Sequence, residues 1–304
     1  MERFEFLIED KEAGLRIDRV LADRMKEQSR SYLQKLLKDQ QISVNEKQVK
    51  ANYKVQSGDC ICVMLPDMEV PDIVPQEIPL DILYEDDYLL VVNKPKGMVV
   101  HPSAGHMDGT LVNAVLAHCR GNLSGINGVL RPGIVHRIDR DTTGALLICK
   151  DDSTHRDLAE QLKVHSIRRR YRAVVYGNFK DDEGTVEGPI GRHPTDRKKM
   201  AINPKNGKDA VTHYQVLERF GNATYIECRL ETGRTHQIRV HMSSIGHPLL
   251  GDEIYGDRRN AYHLQGQALH AMVLGFVHPH TGEYMEFEAP LPEYFVKLLD
   301  KLRK

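Results

Sequence analysis

Net charge is the first thing this sequence lacks. Its 42 Lys and Arg stand against 43 Asp and Glu, a formal charge of −1 with the 15 His neutral, so the total names no partner. No apolar run approaches the length that spans a bilayer, and the opening MERFEFLIEDKEAG has neither the basic start nor the apolar stretch of a signal peptide. Secretion and membrane insertion are not expected; a cytoplasmic protein is. Five cysteines, an odd number in a chain of 304 residues, disfavour a disulfide framework and suit reduced thiols. The phosphate-cradling pattern G-x-x-x-x-G-K-[ST] and the hydrolase elbow G-x-S-x-G are both absent. His236 with His241, and His278 with His280, have no Cys or carboxylate at a familiar ligand spacing, so no metal is expected. What remains, 40% hydrophobic and 28% charged, suits one sizeable core plus a smaller unit.

Charge is segregated along the chain. Residues 67–90 carry eight acids and no Lys or Arg, and Pro71, Pro75 and Pro79 recur every four residues, which excludes a helix or a central strand. An acidic, proline-containing linker is therefore expected at 67–79, between a module at 1–66 and a larger domain at 80–304. In the module, Ile17, Val20, Leu21 and Met25 recur at helical spacing, as do Leu33, Leu36 and Leu37 after the cap candidates Ser29 and Ser31. ISVNEKQVK reads as a hairpin about Asn45-Glu46-Lys47, and VQSGDCICVML as strand, turn, strand, with Cys60 and Cys62 packing from one strand face. Residues 14–66 hold ten basic and six acidic side chains, a local +4. By itself that describes a solvated helix face as well as a nucleic-acid footprint.

Beyond the linker, DYLLVVNKP, ALLICK, YRAVVYGNF, THYQVLERF, ATYIECRLE and YMEFEAP read as strands. TLVNAVLAHCR, STHRDLAEQLKVH, THQIRVHMSSIG and PEYFVKLLDKLRK read as helices. There is no regular βαβ alternation, so the fold expected is α+β with a mixed, largely antiparallel sheet, preceded by a small helix-helix-β domain.

Three polar clusters are candidates for chemistry. In RPGIVHRIDRDTTGALLICK, a loop enters an apolar strand with Asp139 between Arg137 and Arg140, which would help keep it ionised; such a carboxylate serves as nucleophile or base, or simply as half of an ion pair. In ETGRTHQIRVH, Arg239 could pair a carboxylate and Arg234 hold phosphate. In KVHSIRRRYRAVVYG, five basics surround Tyr171, and residues 192–208 add six more; this density suits a phosphate backbone, with Tyr171 either stacking on a base or buried in a strand.

GLRIDRVLADRM followed by SRSYLQKLLKDQQISVNEKQVKANYKVQSGD resembles the S-four-type RNA-binding module. That resemblance implies that Arg16, Arg19, Arg30, Lys35 and Lys38 face structured RNA. HRIDRDTTG, RRRYRAVVYG, ETGRTHQIRVHMSSIGHPLLGDEIYG and QALHAMVLGFVHPHTG, with the earlier VVNKPKGMVVHPSAG, resemble in order and approximate spacing the motifs of the RluA/RluD family of RNA pseudouridine synthases. Ile138 and Ile238 stand where Leu is common there.

The family resemblance implies an isomerase that needs no cofactor. Asp139 would be its anionic nucleophile at the glycosidic bond of a flipped uridine, either attacking the ribose or assisting loss of the base, Arg239 would hold Asp139, and Tyr171 would stack on the uracil. Arg137 would help fill the gap the uridine leaves, and Arg234 would touch phosphate. The implied partner is ribosomal RNA, of the large subunit or its assembly intermediates, and the expected state is a monomer. One rival reading is a non-catalytic RNA-binding or chaperone protein. Another is a carboxylate-dependent hydrolase, which generally needs a second carboxylate.

Overall fold

A computed structural model describes residues 2–25, 30–65, 73–103, 105–126, 131–196, 199–256 and 260–304. The chain divides into two compact units, residues 1–70 and 71–304. Lys26 and Ser29, residues 67–72 of the expected linker, and Arg197 and Lys198 lie outside the described residues, as do the side chains of Ser31 and Lys35. Among the described residues no helix is long and apolar enough to cross a membrane.

The first unit runs β1 (Glu2–Leu7), α1 (Ile17–Arg24), α2 (Arg30–Lys38), β2 (Ile42–Val44), β3 (Lys47–Gln48) and β4 (Cys60–Leu65). Its antiparallel sheet has the order β1-β4-β2-β3. The helical stripes Ile17, Val20, Leu21 and Leu33, Leu36, Leu37 meet the alternate strand positions Ile61 and Val63 in one core. Asn45 and Glu46 both take positive φ, as a two-residue hairpin requires. Two details differ from expectation. Val55 forms no strand before the turn: its N–H donates to Leu15 and its carbonyl accepts from Gly14, anchoring the approach to α1, while β1 takes the place beside β4. Cys60 and Cys62 do share a strand face, but it is the outer one, because Ile61 and Val63 already fill the inner.

The second unit opens with β5 (Ile82–Glu85), β6 (Leu89–Lys94), α3 (Leu111–His118), β7 (Thr143–Cys149) and α4 (Asp152–Lys163). β8 (Arg168–Tyr176), β9 (Glu183–Glu187), the hairpin β10 (Ile190–Arg192) and β11 (Met200–Ile202), and β12 (Val211–Arg219) follow. β13 (Ala223–Leu230), α5 (Gln237–Ser244), β14 (Leu269–Val277), β15 (Tyr284–Glu288) and α6 (Glu293–Leu302) complete it. All expected strands and helices of this region are present; β5, β9, β10, β11 and β14 are additional. One sheet runs β5-β6-β7-β14-β8-β13-β12-β9, with β15 also on β14, and among the described residues only β7 with β14 is parallel. The class is α+β, with a mixed and largely antiparallel sheet.

Both faces of the sheet centre are covered. Leu90, Val92, Leu146 and Ile148 pack with Leu111 and Val115 of α3 and Ile238 and Met242 of α5. Their strand neighbours Leu89, Val91, Leu147 and Cys149 pack on the opposite face with Leu158 of α4. Burial on both faces makes these strands read as continuous apolar runs. Side chains cap the starts of α3 and α4. Thr110 and Asn113 form a reciprocal box on α3, and the Asp151 carboxylate accepts from the N–H groups of Ser153 and Thr154 at 2.8 and 3.0 Å on α4.

Candidate active site

The site is assembled by glycines and a buried lysine that position one loop. At Gly144 the chain takes φ +111° and an added Cβ would stand 2.2 Å from the Ala271 carbonyl oxygen, so only glycine lets β14 lie against the start of β7. Beyond β14 lies β8, which carries Tyr171, so this close approach sets the loop before β7 near that tyrosine. Gly133, with φ +71°, opens the loop, and its N–H and carbonyl are bonded to Ser124 and Cys149. The far end is tied by Lys94 at the end of β6, whose buried ammonium donates to the carbonyls of Pro95, Met98 and Arg140 at 2.8, 2.8 and 2.9 Å. Burial pushes Lys94 down to about 7, and the negative charges of Asp141 and Asp139 oppose that fall.

Asp139 emerges from this loop with a side chain 17% exposed. Arg239, on the first turns of α5, donates Nη1 to Asp139 Oδ2 at 2.8 Å, and its own side chain is only 5% exposed. Behind it, Asp252 accepts Nε at 2.7 Å and Nη2 at 3.0 Å and is itself fixed by the N–H groups of Ile254 and Tyr255. Arg239 is thus a buried cation clamped between two carboxylates, and burial notwithstanding, Asp252 and Asp139 raise its proton affinity. The Tyr255 ring lies 5.0 Å from the guanidinium, and its hydroxyl meets His236 Nδ1 at 2.8 Å. His236 Nε2 stands 3.8 Å from Asp139 Oδ1, and burial lowers the pKa of that imidazole. Arg140, expected to flank Asp139, instead pairs with Asp141 through Nε and Nη2 at 3.1 and 2.9 Å. Adjacent in sequence, its side chain leaves in the other direction.

Asp139 looks into a cleft of about 600 Å³. Arg137, Tyr171 and Arg234 share its walls with Asp139, as does His236, so four of the five catalytic-domain residues proposed for the site (Asp139, Arg137, Tyr171 and Arg234) meet there. The fifth, Arg239, stands behind Asp139. Tyr171 is buried, and that burial raises its phenol pKa. Arg137 Nη1 lies 3.5 Å from His101 Nε2, and Arg234 Nε donates to the Asp209 carbonyl at 2.9 Å. In the first unit Arg16, Arg19, Arg30 and Lys38 are exposed. Arg16 Nε and Arg30 Nη2 each reach the buried Asp18 at 3.0 Å, and Gln34 joins them at 2.6 Å. Among the described residues no group of three or more His, Cys, Asp or Glu could hold a metal ion.

Residues 88–244 match the RNA pseudouridylate synthase family model, and residues 15–61 match the S4 domain. The RNA pseudouridine synthase YlyB of Bacillus subtilis is 53% identical over 304 residues, covering 100% of this chain and 99% of that one. The chain belongs to the RNA pseudouridine synthases. The ribosomal large subunit pseudouridine synthase D of Zymomonas mobilis is 51% identical over 92% of this synthase and 91% of its own length. A solved structure, human RNA pseudouridylate synthase domain containing 1, aligns with TM-score 0.58 at 26% identity over 79% of the synthase and 98% of that chain. The protein is an enzyme with an RNA substrate.

Sequence reasoning gave no role to several groups that hold the synthase's site together. Asp252 stood inside a quoted motif, and its place opposite Arg239 is a tertiary fact. Lys94 works through three backbone carbonyls, which leave no side-chain signature. His136 accepts the Leu147 N–H through Nε2 at 3.1 Å and is held neutral, with its pKa pushed down to about 3 by burial and by Arg169.

Proposed function

We propose that this synthase converts specific uridines of large-subunit ribosomal RNA to pseudouridine, with Asp139 as the group that acts at the ribose. The carrying observation is the Asp139 carboxylate, open to the cleft on one side and gripped by Arg239 on the other. Residues 1–66 serve as the RNA-binding module, 67–79 as the linker and 80–304 as the catalytic domain. The substrate reading is supported by the Zymomonas relative and by similar proteins of Nitrosomonas europaea and Pseudomonas aeruginosa, which carry the same large-subunit name.

In the reaction the C1′–N1 bond breaks, the uracil turns without leaving, C1′ joins C5, and the proton on C5 is lost while N1 gains one. The product is an isomer, so nothing is oxidised and no group passes to water. Asp139 attacks C1′ as N1 leaves, the carboxylate is released again when C5 of the turned uracil attacks C1′, and a buried Arg239 fixes its free oxygen toward the cleft. Tyr171 stacks on the flipped uracil, Arg137 helps fill the space it vacates, and Arg234 contacts phosphate. Arg16, Arg19, Arg30, Lys35 and Lys38 provide the module's phosphate contacts. A pseudouridine map of cellular RNA with and without the protein tests the substrate. Loss of large-subunit sites is expected; loss confined to transfer RNA would overturn it.

A further inference from the structure

The cleft contains a cation that this chemistry leaves unused. Arg169 precedes Tyr171 by two residues on β8, hence shares its strand face, and is 8% exposed. The neighbouring arginines are paired: Arg168 with Glu286 at 2.8 Å, Arg170 and Arg172 with Glu227 at 3.4 and 2.6 Å. Arg169 has no carboxylate partner among the described residues. Its Nη2 makes a long 3.4 Å bond to the Glu231 carbonyl, and its buried Nε makes none among the described residues. A guanidinium stays charged, and burying one without a counter-charge is costly.

The surroundings leave room for this group. A Cβ on Gly233 would stand 2.6 Å from Arg169 Nη1, and φ at Gly233 is not positive, so a side chain there would act by pushing the guanidinium aside rather than by straining the backbone. Lys163 and His165 line the same cleft, and Asp139 is the only acid among its described lining residues.

We infer that Arg169 donates to a phosphodiester oxygen beside the uridine held against Tyr171, and that Gly233 provides the space for that reach. The inference rests on the reading of Asp139 as the reacting group of this cleft. Uracil is neutral and Tyr171 already offers it a face, whereas the phosphodiester is the anionic group of RNA and fits the planar fork of a guanidinium.

The test is equilibrium binding of an RNA containing a uridine that the full chain converts, with a neutral methylphosphonate linkage placed 5′ or 3′ of it. Arg169→Gln should weaken binding of the unmodified RNA roughly tenfold or more. It should also reduce the salt slope by about one charge. Wild type should lose a similar factor at one of the two neutral linkages, to which Arg169→Gln should be indifferent. Gly233→Ala should weaken binding in the wild type and add nothing in Arg169→Gln. Arg169→Lys, which keeps the charge without the fork, should retain the salt slope. Unchanged affinity of Arg169→Gln, or additive losses at both linkages, overturns the inference. Conversion by Asp139→Asn would overturn the reading of Asp139 while leaving this binding result standing, so the two failures are distinguishable.

Discussion

Asp252 grips the Nε and Nη2 of Arg239 at 2.7 and 3.0 Å, leaving only Nη1 to reach Asp139. The buried acid therefore decides where the arginine points.

Asp252→Ala should release that aim. Displacing a positioning group by about 1 Å costs on the order of a hundredfold in rate. The expected outcome is a fall in kcat of that order with KM little changed. Removing one partner of a buried pair should also cost about 3–5 kcal/mol of stability. Asp252→Glu should recover part of the rate. Single-turnover assays beside thermal unfolding check both; an unaltered kcat would show that Asp252 does not aim Arg239.

His136 sets a pH dependence of stability. Its folded pKa, about 3, lies below the ordinary histidine value of 6.5, so the unfolded chain binds more protons between them. The contribution is fully present above about 6.5 and is lost as pH falls toward 3. His136→Gln should narrow its stability gap to wild type as the pH drops through that window. Parallel curves from pH 7 to pH 4 in urea unfolding would contradict it.

Asp18 acts the same way in the first unit. Burial alone would raise it, but hydrogen bonds from Arg16, Gln34 and Arg30 prevail and lower it to about 2. Its stabilisation is present above about 3.8 and disappears as pH falls through 2. Asp18→Asn should destabilise residues 1–66 by about 2–4 kcal/mol. Hydrogen exchange of the α1 and α2 amides reads this directly, with faster exchange expected in the variant.

Gly144 bears on the site through the sheet. Gly144→Ala would place a methyl 2.2 Å from the Ala271 oxygen at a φ of +111°. A cost of at least about 2–3 kcal/mol is expected, with loss of the β7·β14 pairing. A melting temperature equal to that of the wild type would contradict the close approach.

How far these features were legible depends on their physical range. The helices were readable because apolar residues at three- and four-residue spacing face one core, as Leu33, Leu36 and Leu37 do. β14 was not, because LHAMVLGFV mixes Ala, Met, Leu and Gly with only two β-branched residues, and so lacks the β-branched and aromatic density that marked the other strands. The Asp139 to Arg239 pair spans 100 positions and came from the family resemblance, whereas proximity in sequence wrongly suggested Arg140. Asp252 and Lys94 escaped because one acts across a tertiary contact and the other on main-chain oxygens. Cys60 and Cys62 show the limit of a period of two: it groups residues on one face without saying which face is wet.

In the proposed function Asp139, held by Arg239, does the chemistry. The most direct measurement is pseudouridine formation in ribosomal RNA from cells lacking the protein, incubated with purified wild type or with Asp139→Asn at equal RNA occupancy. Conversion by wild type and none by the variant is the expected result. Conversion at the wild-type rate by Asp139→Asn would remove Asp139 from the chemistry.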